Sequence, residues 1–272
     1  MTLEELFQSE SIRAAGWTCS ERQMVCFEVM GWSLNEQVLF ANQDLDLSML
    51  RNIRAVAKRA QTGEPLSYIF GVVYFDELRL SVEPGVLIPR LDTEVLVEAA
   101  ENWIAAIQNP RLHDVCTGNG AVALALKTRR PDAIVSGSDL MDVAVESARR
   151  NADDLNLEVA FSQSDLFEGL GQFDLVTANP PYIALGDSEI DASVSEHEPH
   201  SAIYSGYDGL EVMRRILRDA KGHLKSGGAL FVEHGYRQAK VVRTLALEHG
   251  WADIETILDL AGRDRVARMQ KP

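Results

Sequence analysis

Between residues 112 and 233 the chain alternates short apolar runs with helical patterns, and that alternation leaves few folds open to it. The runs are residues 112–115, 133–137, 159–162, 174–178 and 229–233. Each is too short for a helix and reads as a strand buried on both faces. Helical stretches fall between most of them, and strand–helix–strand repeats build a doubly wound parallel sheet. The end departs from this rule. Residues 253–258 and 265–269 flank Ala261-Gly262-Arg263-Asp264 and predict an antiparallel hairpin. The expected class is α/β, a Rossmann-like, mostly parallel sheet with a C-terminal antiparallel hairpin.

The chain before this region has a different pattern. Thr2 with Glu5, Ser20 with Gln23 and Ser33 with Glu36 have the spacing of capping boxes. Each precedes apolar residues at helical intervals, such as Met24, Val25, Phe27 and Val29. A further helix is predicted over residues 48–60, stopping near Gly63-Glu64-Pro65. Such short helices must pack on one another, with Trp17 and Trp32 in their core. From Tyr68 to Leu87 the period becomes two, through Val72, Tyr74, Leu78, Leu80 and Val82, and Glu83-Pro84-Gly85 forms a turn. The predicted organisation is a small all-helical domain at 1–67, a β-hairpin linker at 68–88 and the α/β domain at 89–272.

Composition narrows the partners. Among 272 residues, 41 acids against 26 bases give a formal charge of −15. A protein that grips a nucleic-acid backbone needs a basic face to release counterions, so the balance argues against DNA or RNA and favours a neutral or basic protein partner. No apolar run spans a bilayer. Met1-Thr2-Leu3-Glu4-Glu5 lacks the basic start of a signal peptide. Three cysteines (Cys19, Cys26, Cys116) make no disulfide framework. The cytoplasm is the expected compartment, with no membrane association, and a monomer is the expected state.

Asn179-Pro180-Pro181-Tyr182 leaves the strand at 174–178 and is stiffened at once by two prolines. An Asn side chain, a prolyl carbonyl and a ring face make a socket for a flat NH2 group, either a carboxamide or the exocyclic amine of a base. The competing reading is an ordinary turn. Upstream, Asp114-Val115-Cys116-Thr117-Gly118-Asn119-Gly120 closes the first strand and opens a helix, with glycines that let a ligand approach the backbone. Asp139 ends the second strand, where an acid accepts ribose hydroxyls, and Asp165 ends the third, near an adenine edge. Each is alternatively a helix cap. There is no Gly-x-x-x-x-Gly-Lys-Ser/Thr loop, and Ala123 stands where a dinucleotide fingerprint has its third glycine. An acidic surround suits a cation, and S-adenosylmethionine carries a sulfonium and an ammonium.

Other residues invite blander readings. His197-Glu198-Pro199-His200 is not His-Glu-x-x-His, and Pro199 breaks the helix that a metal site would need, so no metal is expected. Cys116 lacks a nearby His and reads as a packed small residue. Residues 184–205 are polar, without periodicity, and read as the rim over a substrate or as disorder. Arg90, Glu94 and Glu233 are open between site and structural ion pair.

Several stretches carry a family resemblance over nearly the whole chain. They are Glu64-Pro65-Leu66-Ser67-Tyr68-Ile69, Leu87-Ile88-Pro89-Arg90-Leu91-Asp92-Thr93-Glu94, Asn179-Pro180-Pro181-Tyr182-Ile183, Glu198-Pro199, Asp208-Gly209-Leu210 and Asp259-Leu260-Ala261-Gly262-Arg263-Asp264-Arg265. Asn-Pro-Pro-Tyr is shared with adenine and rRNA methyltransferases; the Ile-Pro-Arg and Ala-Gly-Arg-Asp-Arg stretches are more specific. The chain resembles the bacterial glutamine N5-methyltransferases of peptide-chain release factors, the HemK-type family. That resemblance implies a class I methyltransferase domain dependent on S-adenosyl-L-methionine, with S-adenosyl-L-homocysteine as product, and a helical substrate-recognition domain. It implies that Cys116, Thr117, Gly118, Asn119 and Gly120 line the methionine end, that Asp139 holds the ribose and that Asp165 and Leu166 flank the adenine. Asn179, Pro180, Pro181 and Tyr182 would hold the substrate glutamine, with Asn179, Pro180 and Tyr182 catalytic. The family usually has Gly at Cys116, often an aromatic at Leu166, and Leu-Glu-Ile-Gly where this chain has Val232-Glu233-His234-Gly235. Release factors are then the expected substrates. The alternatives are a ribosomal-protein glutamine, a flipped adenine in nucleic acid, or SAM binding without catalysis.

Overall fold

The computed structural model describes residues 1–188 and 190–272, and the chain divides into two compact units. The first comprises Met1–Gly71 together with Asp191–His197. It holds α1 (Leu3–Gln8), α2 (Glu10–Arg13), α3 (Cys19–Met30), α4 (Leu34–Leu39), α5 (Leu47–Ala60) and α6 (Leu66–Phe70). Capping boxes start α1 at Thr2 and α4 at Ser33, as the spacing predicts. For α3 the cap is Thr18 with Glu21, two residues before the expected Ser20 with Gln23. Either pair fits the pattern, but Glu21 reaches back to the Thr18 N–H at 2.7 Å and fixes the earlier start. Asp46 caps α5 by accepting from Ser48 N and Met49 N. Leu6, Ile12, Trp17, Val25 and Ile53 form the core of this unit, with Trp32 packed against it.

The second unit comprises Val72–Ile190 and Glu198–Pro272. It opens with the hairpin β1 (Val72–Phe75) and β2 (Leu78–Ser81), then α7 (Glu94–Ile104). The winding region follows: β3 (Arg111–Val115), α8 (Ala121–Arg129), β4 (Ile134–Asp139), α9 (Asp142–Leu155), β5 (Ala160–Gln163) and β6 (Phe173–Ala178). After β6 come α10 (Ala192–His197, counted with the first unit) and α11 (His200–Ile203), then α12 (Glu211–Asp219), β7 (Leu224–Glu233), α13 (Ala239–Glu248), β8 (Ala252–Leu258) and β9 (Asp264–Gln270). The seven strands are ordered β5-β4-β3-β6-β7-β9-β8, parallel except where β9 runs against β7 and β8. This is the expected class, with the C-terminal hairpin completing one edge.

Two local expectations change. β7 starts at Leu224 rather than near Ala229, with a register shift opposite Phe173–Leu175 that absorbs Lys225-Ser226-Gly227-Gly228. Gly227-Gly228 lies within this irregular, bulge-like stretch of the strand. Residues 184–205, read as irregular, contain α10 and α11; Glu189 in that stretch lies outside the described residues. Pro199 serves as the N-cap of α11. No helix among the described residues is long and apolar enough to cross a membrane.

Candidate functional site

The register of the sheet sets the site. Val115 pairs with Ser138 on one side and Ala178 on the other, and Ala178 pairs with Val232. The next residues, Cys116, Asp139, Asn179 and Glu233, therefore leave four adjacent strands at one level. The strand order reverses between β3 and β6, and ligands of open α/β sheets bind at such a switch point. Two cavities open there. The larger spans about 780 Å³ of space between and in front of its walls, open solvent at the mouth included, and the smaller about 360 Å³; Leu87, Cys116, Gly118 and Asn179 line both.

The larger cavity has carboxylates on apolar walls. Asp139 Oδ2 accepts from Gly118 N at 3.0 Å and Oδ1 from Met141 N at 3.0 Å. It thus grips the glycine loop as well as the turn into α9, whose N-cap is Met141. Burial raises its pKa, while the N–H groups of Met141, Gly118 and Leu140 oppose that rise. Asp165 is paired with Arg215 at 2.7 Å, and both line the cavity beside Leu166. Leu166 itself is left-handed, with φ of 56°.

The loop after β3 is built from inside. Thr117 Oγ1 and Thr177 Oγ1 donate to the two oxygens of Asp114 at 2.6 and 2.7 Å. Burial nevertheless pushes this carboxyl up to about 7, the two hydroxyls opposing it and Asp139 adding to it. Asn119 Nδ2 donates to Ser81 O, tying the loop to β2. Gly118 has φ of 56°, and a Cβ there would meet no atom within 4 Å. The space beside it is open. Gly120 behaves differently: a Cβ would lie 3.0 Å from Phe161, so its role is packing at the start of α8, and it lines neither cavity. Cys116 has φ of 57° and packs against the core. Burial and the charges of Asp139, Asp114 and Asp165 push its thiol well up, which keeps it protonated and un-nucleophilic.

At the proline corner, Asn179 Nδ2 donates to Thr93 Oγ1 at 3.2 Å. Pro181 lines the larger cavity, whereas Pro180 and Tyr182 line neither. Tyr182 OH donates to Glu233 Oε1 at 3.1 Å, and burial raises its pKa. Gln238 Nε2 donates to the Tyr182 carbonyl at 2.9 Å while its Oε1 accepts from Gly235 N, also at 2.9 Å. Around this corner Arg265 bridges Asp92 at 2.9 Å and Asp259 at 3.0 Å. Arg90 pairs with buried Glu198, which also accepts from Ile88 N. Glu94 accepts from Asp76 N. The open cases at Arg90 and Glu94 are thus framework contacts in the structure. No group of three or more His, Cys, Asp or Glu side chains among the described residues forms a metal site.

Sequence reasoning missed four contributors. Thr93 carries no signal of its own in the sequence, and its contact shows only once Asn179 is placed. Gln238 and Arg215 carry no motif. Gly85 to Leu87, read as the end of a linker, line the larger cavity.

Residues 89–196 match the family described as methyltransferase small domain. The chain is 41% identical over 215 residues to the release factor glutamine methyltransferase of Neisseria gonorrhoeae, covering 78% of each chain. It is 35% identical over 274 residues to that of Burkholderia pseudomallei, covering 97% of this chain and 96% of the other. The chain belongs to the release factor glutamine methyltransferase family. The fold reaches beyond the release factor glutamine methyltransferases. The 16S rRNA N2 G1207 methyltransferase of T. thermophilus, solved with AdoMet and guanosine, aligns with a TM-score of 0.54 at 19% identity, over 74% of this chain and 50% of that one.

Proposed function

We propose that this chain transfers a methyl group from S-adenosyl-L-methionine to the side-chain amide nitrogen of the glutamine in the Gly-Gly-Gln motif of peptide-chain release factors. The observation that carries this reading is the place of Asn179, on the wall shared by both cavities with its Nδ2 held by Thr93. With one Nδ2 proton given to Thr93, the amide is oriented so that Oδ1 is the acceptor offered to a substrate NH2. The donor set fits the methyl donor: open space at Gly118, a partly buried carboxylate at Asp139 and an apolar wall at Leu166. Bound S-adenosyl-L-methionine supplies an electrophilic sulfonium methyl and leaves as S-adenosyl-L-homocysteine.

A carboxamide nitrogen is a poor nucleophile because its lone pair is delocalised. The protein's task is therefore to hold it. Asn179 Oδ1 and the Pro180 carbonyl accept the two N–H bonds and fix the amide plane, and Tyr182 stiffens the corner behind them. Rate then comes from alignment and from dipoles that need no reorganisation. Asp139 holds the ribose, Asp165 and Leu166 flank the adenine, and Cys116, Thr117, Gly118 and Asn119 line the methionine end. The helical unit recognises the release factor in the cytoplasm, with the enzyme acting as a monomer. The formal charge of −15 disfavours a flipped adenine as substrate.

Asn179→Ala should lower kcat for release-factor methylation by about hundredfold, with S-adenosylmethionine affinity by calorimetry changed only a few-fold. Mass spectrometry of the Gly-Gly-Gln peptide reads the single added methyl. Near-normal turnover by this variant overturns the socket; binding without transfer by the parent protein supports a non-catalytic role instead.

A further inference from the structure

α7 is apolar on more of its circumference than its own sheet covers. Leu96, Val97, Ala100 and Ile104 are its buried face. Val95, Ala99 and Trp103 form a second stripe at four-residue spacing and are only half-buried. This stripe is one wall of a groove whose lining residues are distinct from those of the two site cavities. The register of the edge strands supplies the floor: Phe231 on β7 pairs with Arg268 on β9, and Arg268 with Glu255 on β8. Ile257 and Leu258 at the end of β8, and Leu260 just beyond it, form the other wall. The groove spans about 1190 Å³, open solvent at its mouth included. Leu258 is 51% exposed and Leu260 96%. Single exposed leucines are ordinary, but two that face an apolar helix stripe across one groove mark a surface built for a partner.

We propose that this groove is a second docking site for the release factor, taking a basic, apolar segment of that substrate outside its Gly-Gly-Gln motif. This rests on the glutamine reading above. Two observations choose the occupant. The first is charge. Glu98, Glu255 and Asp259 line the groove, with Arg268 as the only cation among the described lining residues, and Glu255 already pairs with Arg268 at 3.2 Å. A segment that carries Lys or Arg beside its apolar anchors is drawn to such a rim, whereas a second copy of this chain, at −15, is repelled. The second observation is continuity with the proline corner. Asp259, on the groove wall, accepts from Arg265, which also bridges Asp92, and Asp92 precedes the Thr93 that holds Asn179. The loop carrying Leu260 is fixed from within, since Asp259 Oδ1 accepts from Ala261 N and Arg263 N. Leu260 is thus a rigid outpost of the corner.

The groove is preorganised for an apolar anchor. Trp103 sets its ring edge-on to buried Phe231, with centroids 6.4 Å apart, which fixes the wall. The small side chain of Ala99, between Val95 and Trp103, leaves a notch that Leu258 and Leu260 face from the other wall. Docking here acts on capture and not on chemistry. Contacts made away from the cavities where the methyl moves strengthen ground state and transition state alike, so they lower KM and leave kcat alone. A short peptide around the glutamine does not extend to the groove. The whole release factor engages corner and groove together, and linked contacts bind tighter than either one.

The test compares whole release factor with a short Gly-Gly-Gln peptide as substrates of the full chain. Leu260→Ser and Glu98→Lys change exposed side chains, and unchanged melting temperatures report an intact fold. KM for release factor should rise about tenfold in Leu260→Ser and about threefold in Glu98→Lys. In both, kcat should stay within about twofold and turnover of the peptide should match the parent. Added salt should raise KM for release factor more steeply in the parent than in Glu98→Lys. Parent-like KM for release factor in both variants overturns the proposal. So does an equal loss on the short peptide, which would place the effect at the corner. Sedimentation of parent and Leu260→Ser adds a third arm: two monomers support the proposal, and a parent dimer that Leu260→Ser dissolves gives the groove to a second copy and overturns it. If the parent methylates neither substrate, the glutamine reading falls, and calorimetry with release factor then decides the groove alone. Binding weakened in both variants upholds it, and unaltered binding, or none by the parent, refutes it.

Discussion

Cys116 sits with φ of 57°, a backbone region that L side chains enter at a cost of about 1–2 kcal/mol. It does so because the chain must turn sharply from β3 into the loop that Asp114 holds through Thr117. Cys116→Gly removes that strain, but glycine's freedom in the unfolded chain returns about 0.5–1 kcal/mol. The variant should be neutral to more stable by about 1 kcal/mol, and Cys116→Val less stable by about 2 kcal/mol, a β-branched residue fitting this region worst. Urea unfolding of the three proteins checks the order. The sequence reading of a packed small residue was right about its contact with the core. Its backbone angle was illegible in the run Asp114-Val115-Cys116-Thr117 itself, and the one hint of left-handed geometry was the glycine that the family usually has at this position. Asp139 shows the opposite case. Its sequence position suits a ribose acceptor or a cap, and in the structure its two oxygens reach the Gly118 loop and the turn into α9 together.

Turns behind the site are held as tightly as the site. Gly209, with φ of 74°, lies where an added Cβ would stand 2.3 Å from the Tyr182 carbonyl oxygen, the same oxygen that Gln238 binds. Because the obstacle is backbone, it cannot swing aside. Gly209→Ala should therefore destabilise the protein by about 2 kcal/mol or more and lower kcat by displacing the proline corner. Thermal unfolding and turnover should fall together, and an unchanged melting temperature would contradict the close approach. Asp208-Gly209-Leu210 was visible as a motif, but its purpose needs the partner 27 residues upstream. The parallel strands were legible because burial on both faces leaves continuous apolar runs, as in Leu175-Val176. The start of β7 and the helices α10 and α11 were not, since a Gly-Gly bulge and short polar helices share their composition with loops.

Buried titrating groups tie stability to pH across the molecule. Asp114 and Glu233 are both raised by burial to about 7. Each holds its proton in the folded state over a range in which the unfolded chain has lost it, so each contribution falls as pH rises from about 4 to about 7 and is level above. His113, between Ser136 and Ser138, is lowered by burial to about 4 and acts in the opposite direction over about 4 to 6.5. The parent profile is a partial cancellation. Asp114→Asn removes one falling contribution, so its stability relative to the parent should climb between pH 5 and 8 by about 1 kcal/mol or more. Urea titrations at several pH values measure the difference, and a constant offset would show that Asp114 does not titrate there. None of this was legible in sequence, where these are three ordinary polar residues. The family and the α/β class were legible, because they rest on contiguous motifs and on period. Segment 191–197, which packs with the first unit through Ser193 on the Gly63 carbonyl, was not, because the residues it joins lie far apart in the chain.

The level alignment of Cys116, Asp139, Asn179 and Glu233 decides where chain length can drift. One residue inserted within β6 would turn Asn179 to the opposite face and bring Ala178 to the row. The same insertion near Gly169 or Gly171, where an added side chain would touch nothing, is absorbed before the strand begins. Descendants of this sequence are therefore free to lengthen the approach to β6, while the count from Phe173 to Asn179 is inherited unchanged.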